Sequence, residues 1–590
     1  MDCVKSTRRY GKVDESQDLA LKKKKRKRLI SVAAISVVIL IAIIIASVVS
    51  VVIHNRKHHS PNPTPSLIPE LTPAASLRTV CSVTHYPTSC FSSISKIPSS
   101  NTTDPEILFR LSLKVVVNEL ASISDLPKKL SDSTNDQRIK SAISVCVDLM
   151  EDAIDRVNDT VSAMEIGDGN KILNASKIDD LKTWLSAALT DYETCFDALD
   201  EFSVNKTDST TATTINLKSA MRNSIEFTSN SLAIVAKVLS MLSDFGIPIH
   251  RRRLLNSDSV NSDPDWVSLG VRRLLQVKNL TPNVTVAADG SGDVKTVNEA
   301  VARVPSKGKL RYVIYVKEGV YVENVVMDKS KWNVMIYGDG KEKTIISGNK
   351  SNADGIPTFK TATFAIQGQG FIMKDIGIIN TAGAANHQAV AFRSGSDLSV
   401  YYQCSFDGYQ NTLYPHSNRQ FYRECDITGT VDFIFGNAAV VFQRCNIQPR
   451  QPLPNQVNTI TAQGKTDSNQ NTGISIQRCT ISAANGNVTA PTYFGRPWKE
   501  FSTTVIMQSE VGSIVRAAGW LSWVLGTDPP SSILYGEYKN SGSGSGLNQR
   551  IKWAGYKPIL SDAEARRFTV ATFIRGGDWL PATGVQYQPT

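Results

Sequence analysis

Apolar positions along this chain follow two different repeats, with the change lying near residue 245. Between residues 76 and 245 apolar side chains recur every three or four positions, for example Ile143, Val147, Met150 and Ile154. This is the repeat of an amphipathic helix. Turn-forming clusters at 131–136, 167–170 and 205–214 separate the helical stretches. The pattern predicts an all-α antiparallel helical bundle over residues 76–245.

Short β-rich runs replace this pattern from about residue 281 onward. Gly, Asn and Asp separate the runs, which recur at roughly 20 residues with little helix between them. They are residues 312–316, 333–337, 371–379, 398–402, 440–442, 459–462, 473–476 and 503–507. Many short strands at this spacing favour an all-β right-handed parallel β-helix over a sandwich, here assigned to residues 281–580.

An uncharged apolar stretch at residues 29–53 is long enough to cross a bilayer. The basic run 22–28 precedes it, so we expect residues 1–28 to be a cytosolic tail, with everything beyond residue 53 outside the cytosol. This predicts a type II membrane anchor in the secretory pathway. A cleaved signal peptide is the alternative, although such peptides usually have a shorter apolar region. A nuclear localisation signal in the basic run is a further, weaker alternative.

Two linkers separate these regions. Residues 54–75 are rich in Pro, Ser and Thr and predict an extended stalk. Residues 246–280 carry Arg-Arg-Leu-Leu twice, ending at Leu255 and Leu275. We interpret the repeat as recognition sites for a processing protease, the alternative being a solvated basic run.

The C-terminal part of the chain is basic in its own right. Residues 276–590 contain 31 lysines and arginines against 23 aspartates and glutamates. A basic surface suits a polyanionic partner. Because the expected location lies outside the cytosol, nucleic acid is excluded in practice, and an acidic polysaccharide or wall surface remains.

Eight of the nine cysteines lie beyond the predicted span, where disulfides persist; Cys3 lies before it. We expect Cys81–Cys90 to close a hairpin and Cys146–Cys195 to join two bundle helices. Bridges between adjacent coils of a β-helix are geometrically easy. The natural pairs there are Cys404–Cys425 and Cys445–Cys479. Glycosylation sequons also fit secretion; they begin at Asn101, Asn158, Asn174, Asn205, Asn279, Asn283, Asn349 and Asn487.

Gln388, Gln410 and Asp432 are spaced at equal steps of 22 residues. In a β-helix with one coil per 20–25 residues, this spacing predicts that the three side chains stack in one column. Neighbouring coils lie about 4.8 Å apart. Two amides and one carboxylate would then reach a single small group of a substrate. Unrelated polar residues on loops are the alternative.

Several segments, in order, resemble the signature blocks of plant pectin methylesterases. They are residues 319–323 (GVYVE), 388–392 (QAVAF), 409–413 (YQNTL), 432–436 (DFIFG) and 495–498 (GRPW). The helical region, with its four cysteines and residues 180–189 (DLKTWLSAAL), resembles the inhibitor-like pro-region of two-domain members. The resemblance covers residues 76 to about 580. It implies hydrolysis of methyl esters of homogalacturonan, with the pro-region inhibiting the enzyme until it is cut away.

The residue types fit that chemistry. Asp432 is the candidate nucleophile, because a carboxylate can add to an ester carbonyl. Gln388 and Gln410 offer neutral N–H donors for the developing oxyanion. Arg496 can pair with Asp432 and orient it, and Trp498 offers a flat face to a sugar ring. Through the resemblance, Thr358 is expected to contact the sugar chain; Gln388 and Arg496 are also assigned to substrate binding.

Asn411 departs from the family pattern. The resemblance implies an aspartate here, acting as acid for the departing methanol and as base for the hydrolytic water. An amide cannot donate a proton and take it back, and positioned acid–base catalysis contributes about 10²–10⁴-fold. We therefore expect either reduced activity, with water or a group such as Asp407 relaying the proton, or a non-catalytic pectin-binding or inhibitory protein.

A different solenoid enzyme, a pectate lyase or a polygalacturonase, is the third alternative. A lyase would need calcium-binding carboxylates, and a polygalacturonase would need clustered aspartates around the glycosidic bond. Asp432 with two glutamines fits neither. No motif predicts a metal or another cofactor, since His387 and His416 stand alone in the sequence.

Overall fold

The computed structural model describes residues 72–165, 174–202, 208–244, 281–484 and 488–590. The expected basic tail and membrane segment (1–53), nearly all of the stalk and the linker with its Arg-Arg-Leu-Leu sites lie outside the described residues. Residues 80–100 and 104–590 form one compact unit, whereas residues 72–79 and 101–103 belong to a second. Apart from residues 73–79, the helices of the bundle and the β-helix described below lie in the larger unit.

Amphipathic helices build the N-terminal part, as their apolar repeat predicts. Asp104 accepts hydrogen bonds from the backbone N–H groups of Glu106 and Ile107 at the start of the first long helix, and Pro105 occupies its first turn. In the described residues the helices are α1 Pro73–Ser82, α2 Pro87–Ile94, α3 Pro105–Ile123, α4 Leu126–Ser133, α5 Gln137–Glu165, α6 Ala175–Phe202, α7 Asp208–Ala233 and α8 Ser240–Asp244, with a π-helix Ile234–Leu239 between the last two.

Two disulfides stabilise this bundle. Cys81 pairs with Cys90 beside the turn between α1 and α2, and Cys146 of α5 pairs with Cys195 of α6. Both predicted bridges are confirmed. A predicted turn is partly wrong, because α7 begins at Asp208, within the segment 205–214.

The helical stretch Thr214–Ser243 is long and apolar enough to cross a membrane by length and composition. More than half of its most apolar window is buried inside the protein. Burial of this kind is typical of a core helix in a bundle. This stretch is therefore distinct from the membrane segment expected at residues 29–53.

Three parallel sheets wind around one core and form a parallel β-helix, which confirms the predicted fold class. Sheet A contains β1 Val284–Val286, β2 Tyr312–Val316, β5 Val334–Tyr337, β8 Ile372–Lys374, β11 Ser399–Tyr402, β14 Arg419–Arg423, β17 Ala439–Gln443, β20 Gly473–Gln477, β23 Thr503–Met507, β25 Leu534–Tyr538 and β26 Tyr556–Lys557. Sheet B contains β3 Gly319–Val322, β6 Thr344–Gly348, β9 Gly377–Asn380, β12 Ser405–Asp407, β15 Asp426–Gly429, β18 Asn446–Pro449, β21 Thr480–Ile481 and β24 Glu510–Val511. Sheet C contains β4 Val325–Met327, β7 Phe364–Ile366, β10 Phe392–Ser394, β13 Leu413–Pro415, β16 Ile434–Gly436, β19 Asn458–Gln463 and β22 Thr492–Gly495.

From β8 onward, successive coils repeat the same corner between sheets A and B. One residue per corner adopts a left-handed conformation, as Asp375, Gln403, Glu424 and Arg444 do with φ of 54–55°. A single left-handed residue turns the chain sharply without interrupting the parallel pairing on either side. The strands therefore stay in register, and apolar side chains such as Phe406 and Ile427 stack in a continuous interior.

The four β-helix cysteines are free thiols, so the predicted bridges Cys404–Cys425 and Cys445–Cys479 are wrong. These residues stand one above another at the inner side of successive corners. The Cys425 thiol donates to the carbonyl of Tyr401, and the Cys445 thiol to that of Tyr422. Stacking on successive coils therefore brings these cysteines together as buried thiols without a disulfide.

Short helices complete the C-terminal end: α10 Asp562–Arg566, α11 Val570–Phe573 and α12 Gly576–Thr583. A further helix, α9 Val297–Ala302, lies near the start of the β-helix. Val585 and Tyr587 pack with Trp579 against sheet A, so the packed region continues past the predicted boundary at 580. The apolar clusters of the β-helix contain only residues 284–587, which gives this domain a core independent of the bundle.

Candidate active site

A cavity of about 300 Å³ opens over sheet C, and every predicted catalytic or sugar-binding residue lines it. Most of these residues come from the turns that lead into successive strands of sheet C. They are Thr358, Gln388, Gln410, Asn411 and Asp432; Arg496 and Trp498 follow the last strand of the sheet.

Asp432 is held in place by two residues, Arg496 and Thr459. Arg496 donates from Nε to Oδ1 at 2.8 Å and from a terminal nitrogen to Oδ2 at 2.6 Å, which is a bidentate pair. The hydroxyl of Thr459 donates to Oδ1 at 2.7 Å and accepts from the backbone N–H of Asp432 at 2.9 Å. Asp432 is only 5% exposed, so its carboxylate presents a narrow, oriented face to the cavity.

The amides of Gln388 and Gln410 remain available to a ligand. Both side chains are half-buried in the cavity wall. Among the residues that the structure describes, none hydrogen-bonds either side-chain amide. Two N–H donors beside a fixed carboxylate are suited to an oxygen that gains negative charge.

The predicted column is correct for the two glutamines and wrong by one position for Asp432. The backbone N–H of Ala389 donates to the carbonyl of Gln410, which places Gln388 in register with Gln410 at a step of 22 residues. The backbone N–H of Asn411 donates to the carbonyl of Val431, so Asn411 is the residue in register with Asp432. Within the strands that follow, the step is 21 residues, because a bulge at residues 391–392 takes up the extra one. All three side chains still reach one cavity.

Asn411 fills the position at which the family resemblance places an acid. Its φ of 61° is left-handed, a conformation that Asn and Asp adopt more readily than other non-glycine residues. Asp407 does not line the cavity and instead pairs with Arg450 at 2.6 Å. Of the described β-helix residues that line the cavity, Asp432 is the only one with a carboxylate.

Aromatic rings form the wall beyond Arg496. Trp498 and Trp523 lie with ring centroids 6.4 Å apart, and the Arg496 guanidinium sits 4.3 Å from the Trp523 centroid. A Cβ on Gly464 would lie 2.9 Å from the Trp498 ring, so glycine is needed for this ring position. Sequence reasoning missed Trp523 and Thr459, since neither lies in a block that carried the resemblance.

Helix α6 of the bundle closes the other side of the cavity. Glu201 accepts hydrogen bonds from the backbone N–H of Thr358 at 2.8 Å and from the Asn352 amide at 2.9 Å. Burial raises the pKa of Glu201 to about 7. Asp197 pairs with Lys499 at 2.6 Å, and burial raises its pKa despite the lysine. The bundle therefore places carboxylates directly over the site.

No group of three or more His, Cys, Asp or Glu side chains suited to a metal occurs within the described ranges. His416 is buried, donating to or accepting from the Thr194 hydroxyl at 2.9 Å, and burial lowers the pKa of its imidazole. This histidine is thus a contact between the bundle and the β-helix.

Comparison with known proteins agrees with both halves of the structure. Residues 283–578 match the family Pectinesterase, and residues 75–234 match the family Plant invertase/pectin methylesterase inhibitor. The chain is 70% identical to Pectinesterase 1 of Arabidopsis thaliana, covering 99% of both chains, and 57% identical to Pectinesterase 3 of Phaseolus vulgaris, covering 100% of both. The solved structure of pectin methylesterase from carrot is 51% identical with a TM-score of 0.52, covering 53% of this chain and 99% of the carrot chain.

Proposed function

The chain belongs to the pectinesterase family and carries a pectin methylesterase inhibitor region in the same polypeptide, and on this premise we propose that it hydrolyses methyl esters of homogalacturonan, releasing methanol. The observation that carries the proposal is Asp432, held by Arg496 beside two available amides. The tryptophan wall offers flat faces to the sugar rings.

Asp432 acts as the nucleophile in the proposed reaction. Its carboxylate adds to the ester carbonyl, and the amides of Gln388 and Gln410 donate to the resulting oxyanion. The bond to the methoxy oxygen then breaks, and that oxygen leaves as methanol after taking a proton. Water attacks the remaining acyl group, which releases a free uronate carboxylate and regenerates Asp432.

Water supplies and removes the proton in this scheme. Asn411 cannot exchange one, and Asp407 is held by Arg450 outside the cavity. The alternative, a pectin-binding or inhibitory protein, is favoured only by the substitution at Asn411.

The bundle inhibits the enzyme by occupying the cavity. Side chains of α6 stand where a polymer would lie: Thr194, Asp197, Ala198, Asp200 and Glu201 all line it. Cleavage at the Arg-Arg-Leu-Leu sequences in the linker 246–280 would free the β-helix from both the bundle and the membrane anchor at 29–53. Arg253 and Arg273 are the sites we propose for the protease.

The proposed location is the plant cell wall, reached through the secretory pathway as a membrane-anchored precursor. Two observations support it: the cysteines of the bundle form disulfides, which persist outside the cytosol, and the curated relatives are plant pectinesterases. N-terminal sequencing of protein extracted from cell walls checks the processing step. An N-terminus after Arg253 or Arg273 is expected, and an intact linker contradicts it.

The reaction itself is tested with the β-helix domain, residues 281–590, incubated with highly methylated pectin. We expect methanol to be released while the polymer length stays constant. Unsaturated products would identify a lyase, and shortened chains a polygalacturonase. A domain that binds pectin without releasing methanol would identify the binding protein instead.

A further inference from the structure

A second cavity, of about 280 Å³, lies at the corner between sheets C and A, where α6 begins to cross the β-helix. Basic side chains from four separate segments of the β-helix domain converge on it. They are Arg419 at the start of β14, Lys465 after β19, Arg567 after α10 and Arg575 before α12. Convergence from distant parts of the sequence produces a concave cationic surface, which suits anionic groups.

The bundle already meets this surface with carboxylates. Asp180 of α6 pairs with Arg419 at 2.7 Å, and Asp179 lies 3.2 Å from Arg575. Arg419 also binds the buried Asp397, which orients its guanidinium. In the intact chain, therefore, two carboxylates of the inhibitor region occupy part of the cationic cavity.

Lys465 and Arg567 remain without an ion pair among the described residues. Burial lowers the pKa of Lys465 to about 8, although the nearby carboxylate of Asp467 opposes the shift; Arg567 adds a smaller lowering. An ammonium held in this setting gains more from an incoming anion than a solvated one does, because less water competes for it. Both cations are thus available to a ligand that brings its own carboxylate.

Helix α6 connects the second cavity with the catalytic one. Between Asp179 and Glu201 the helix spans about 33 Å at 1.5 Å per residue. Along this path Asn471 donates to Thr183, the Gln470 amide to the carbonyl of Ser186, and the Asn437 amide to Thr190. The β-helix therefore presents polar donors along a continuous strip, with the cationic cavity at one end and Asp432 at the other.

We propose that this cationic cavity is a second binding site for pectin, which takes the free carboxylates of an already de-esterified stretch of galacturonate chain while Asp432 acts on a neighbouring esterified stretch. Lys465 and Arg567 are its principal contacts. Arg419 and Arg575, which keep their pairs with Asp397 and Asp578, line the same cavity and lose Asp180 and Asp179 when the bundle departs. The proposal rests on the proposed function, since it assigns part of the same substrate to a distant site.

Partly de-esterified pectin then binds better than fully methylated pectin, because only the former carries carboxylates for the cavity. The product of one reaction becomes a ligand for the next. This favours action on esters close to groups that have already been hydrolysed.

The test uses residues 281–590, which have their own apolar core and correspond in extent to the solved carrot chain. The double variant Lys465→Gln with Arg567→Gln is titrated at pH 7 and low salt with a fully de-esterified galacturonate oligomer. We expect binding about three- to tenfold weaker than wild type. Lys343→Gln, which removes an exposed charge at the corner between sheets A and B, is the control and leaves binding unchanged.

Kinetics of methanol release separate this proposal from the proposed function. With partly de-esterified pectin the double variant shows a higher KM and an unchanged kcat; with short, fully methylated oligomers neither changes. Unchanged affinity for the de-esterified oligomer, or an equal rise of KM on both substrates, overturns the second site. Absence of methanol release from wild type refutes the proposed function alone, because the titration needs no ester.

Discussion

Glu201 of the bundle accepts a hydrogen bond from the backbone N–H of Thr358 at 2.8 Å, inside the catalytic cavity. Burial raises the pKa of this carboxyl to about 7, from an ordinary value of 4.5. Docking of the bundle and protonation of Glu201 are therefore linked. Asp197, Glu193 and Asp180 on the same helix also have raised pKa values, with burial as the largest cause.

We predict that inhibition by the bundle weakens as pH rises from about 4.5 to about 7. In this range the docked bundle binds more protons than the released one, so the free energy of docking becomes less favourable with pH, by on the order of 2 kcal/mol for Glu201. The measurement is the methanol release of the intact chain divided by that of the released β-helix domain at each pH.

Glu201→Gln reduces that pH dependence, since the amide carries no titrating proton. Glu119→Gln on α3 is the matched control and preserves the wild-type dependence, because Glu119 is not among the residues that line the cavity. A ratio that falls with rising pH, or a Glu201→Gln profile identical to wild type, contradicts the assignment.

Asn411→Asp raises the kcat of the released domain by about 10²-fold. The new carboxyl stands in register with Asp432 and can protonate the departing methanol and then activate water. Methanol release at saturating pectin is the measurement. If Asn411→Asp leaves kcat unchanged while wild type is active, the proton route does not pass through this position.

Arg496→Lys lowers kcat by roughly 10- to 100-fold, although the charge is kept. A lysine ammonium cannot form the two parallel hydrogen bonds that hold the carboxylate of Asp432, and misplacing the nucleophile by about 1 Å is costly. Arg450→Lys, at the ion pair of Asp407 outside the cavity, is the control. Equal activity of the two variants would show that the bidentate geometry is not needed.

A reducing agent destabilises the bundle but not the β-helix. Breaking Cys146–Cys195 removes a bridge between residues 49 apart, which costs roughly 2–4 kcal/mol of unfolding free energy. Thermal unfolding of the intact chain is compared with that of residues 281–590, whose four cysteines are free thiols. If the reductant also lowered the stability of residues 281–590, these cysteines would have to form disulfides, in contradiction to the structure.

The sequence predicted the strands best where the apolar run was bounded on both sides. Tyr312–Val316 and Thr503–Met507 coincide with β2 and β23. The run 371–379 is two strands, because the chain turns at Asp375 with φ of 55°. No single residue type marks that turn, since the corner residue is Asp, Gln, Glu or Arg in different coils.

The identities of the site residues were predictable, whereas their exact stacking was not. Side chains of Gln388, Gln410 and Asp432 share one cavity as expected. Their exact register depends on the number of residues in each coil, and the turns vary that number in a way that equal sequence spacing does not reveal. Thr459 and Trp523 reach Asp432 and Arg496 from other coils. Contacts between residues on different coils produce no local sequence pattern from which they could be predicted.

Methanol release by the released domain carrying Asp432→Asn tests the role of this carboxylate as the nucleophile. Loss of the nucleophile lowers kcat by roughly 10⁴-fold while pectin binding persists. Asp407→Asn, which removes the same charge beside Arg450 outside the cavity, keeps wild-type activity. A variant Asp432→Asn that releases methanol at a rate close to wild type would contradict the account.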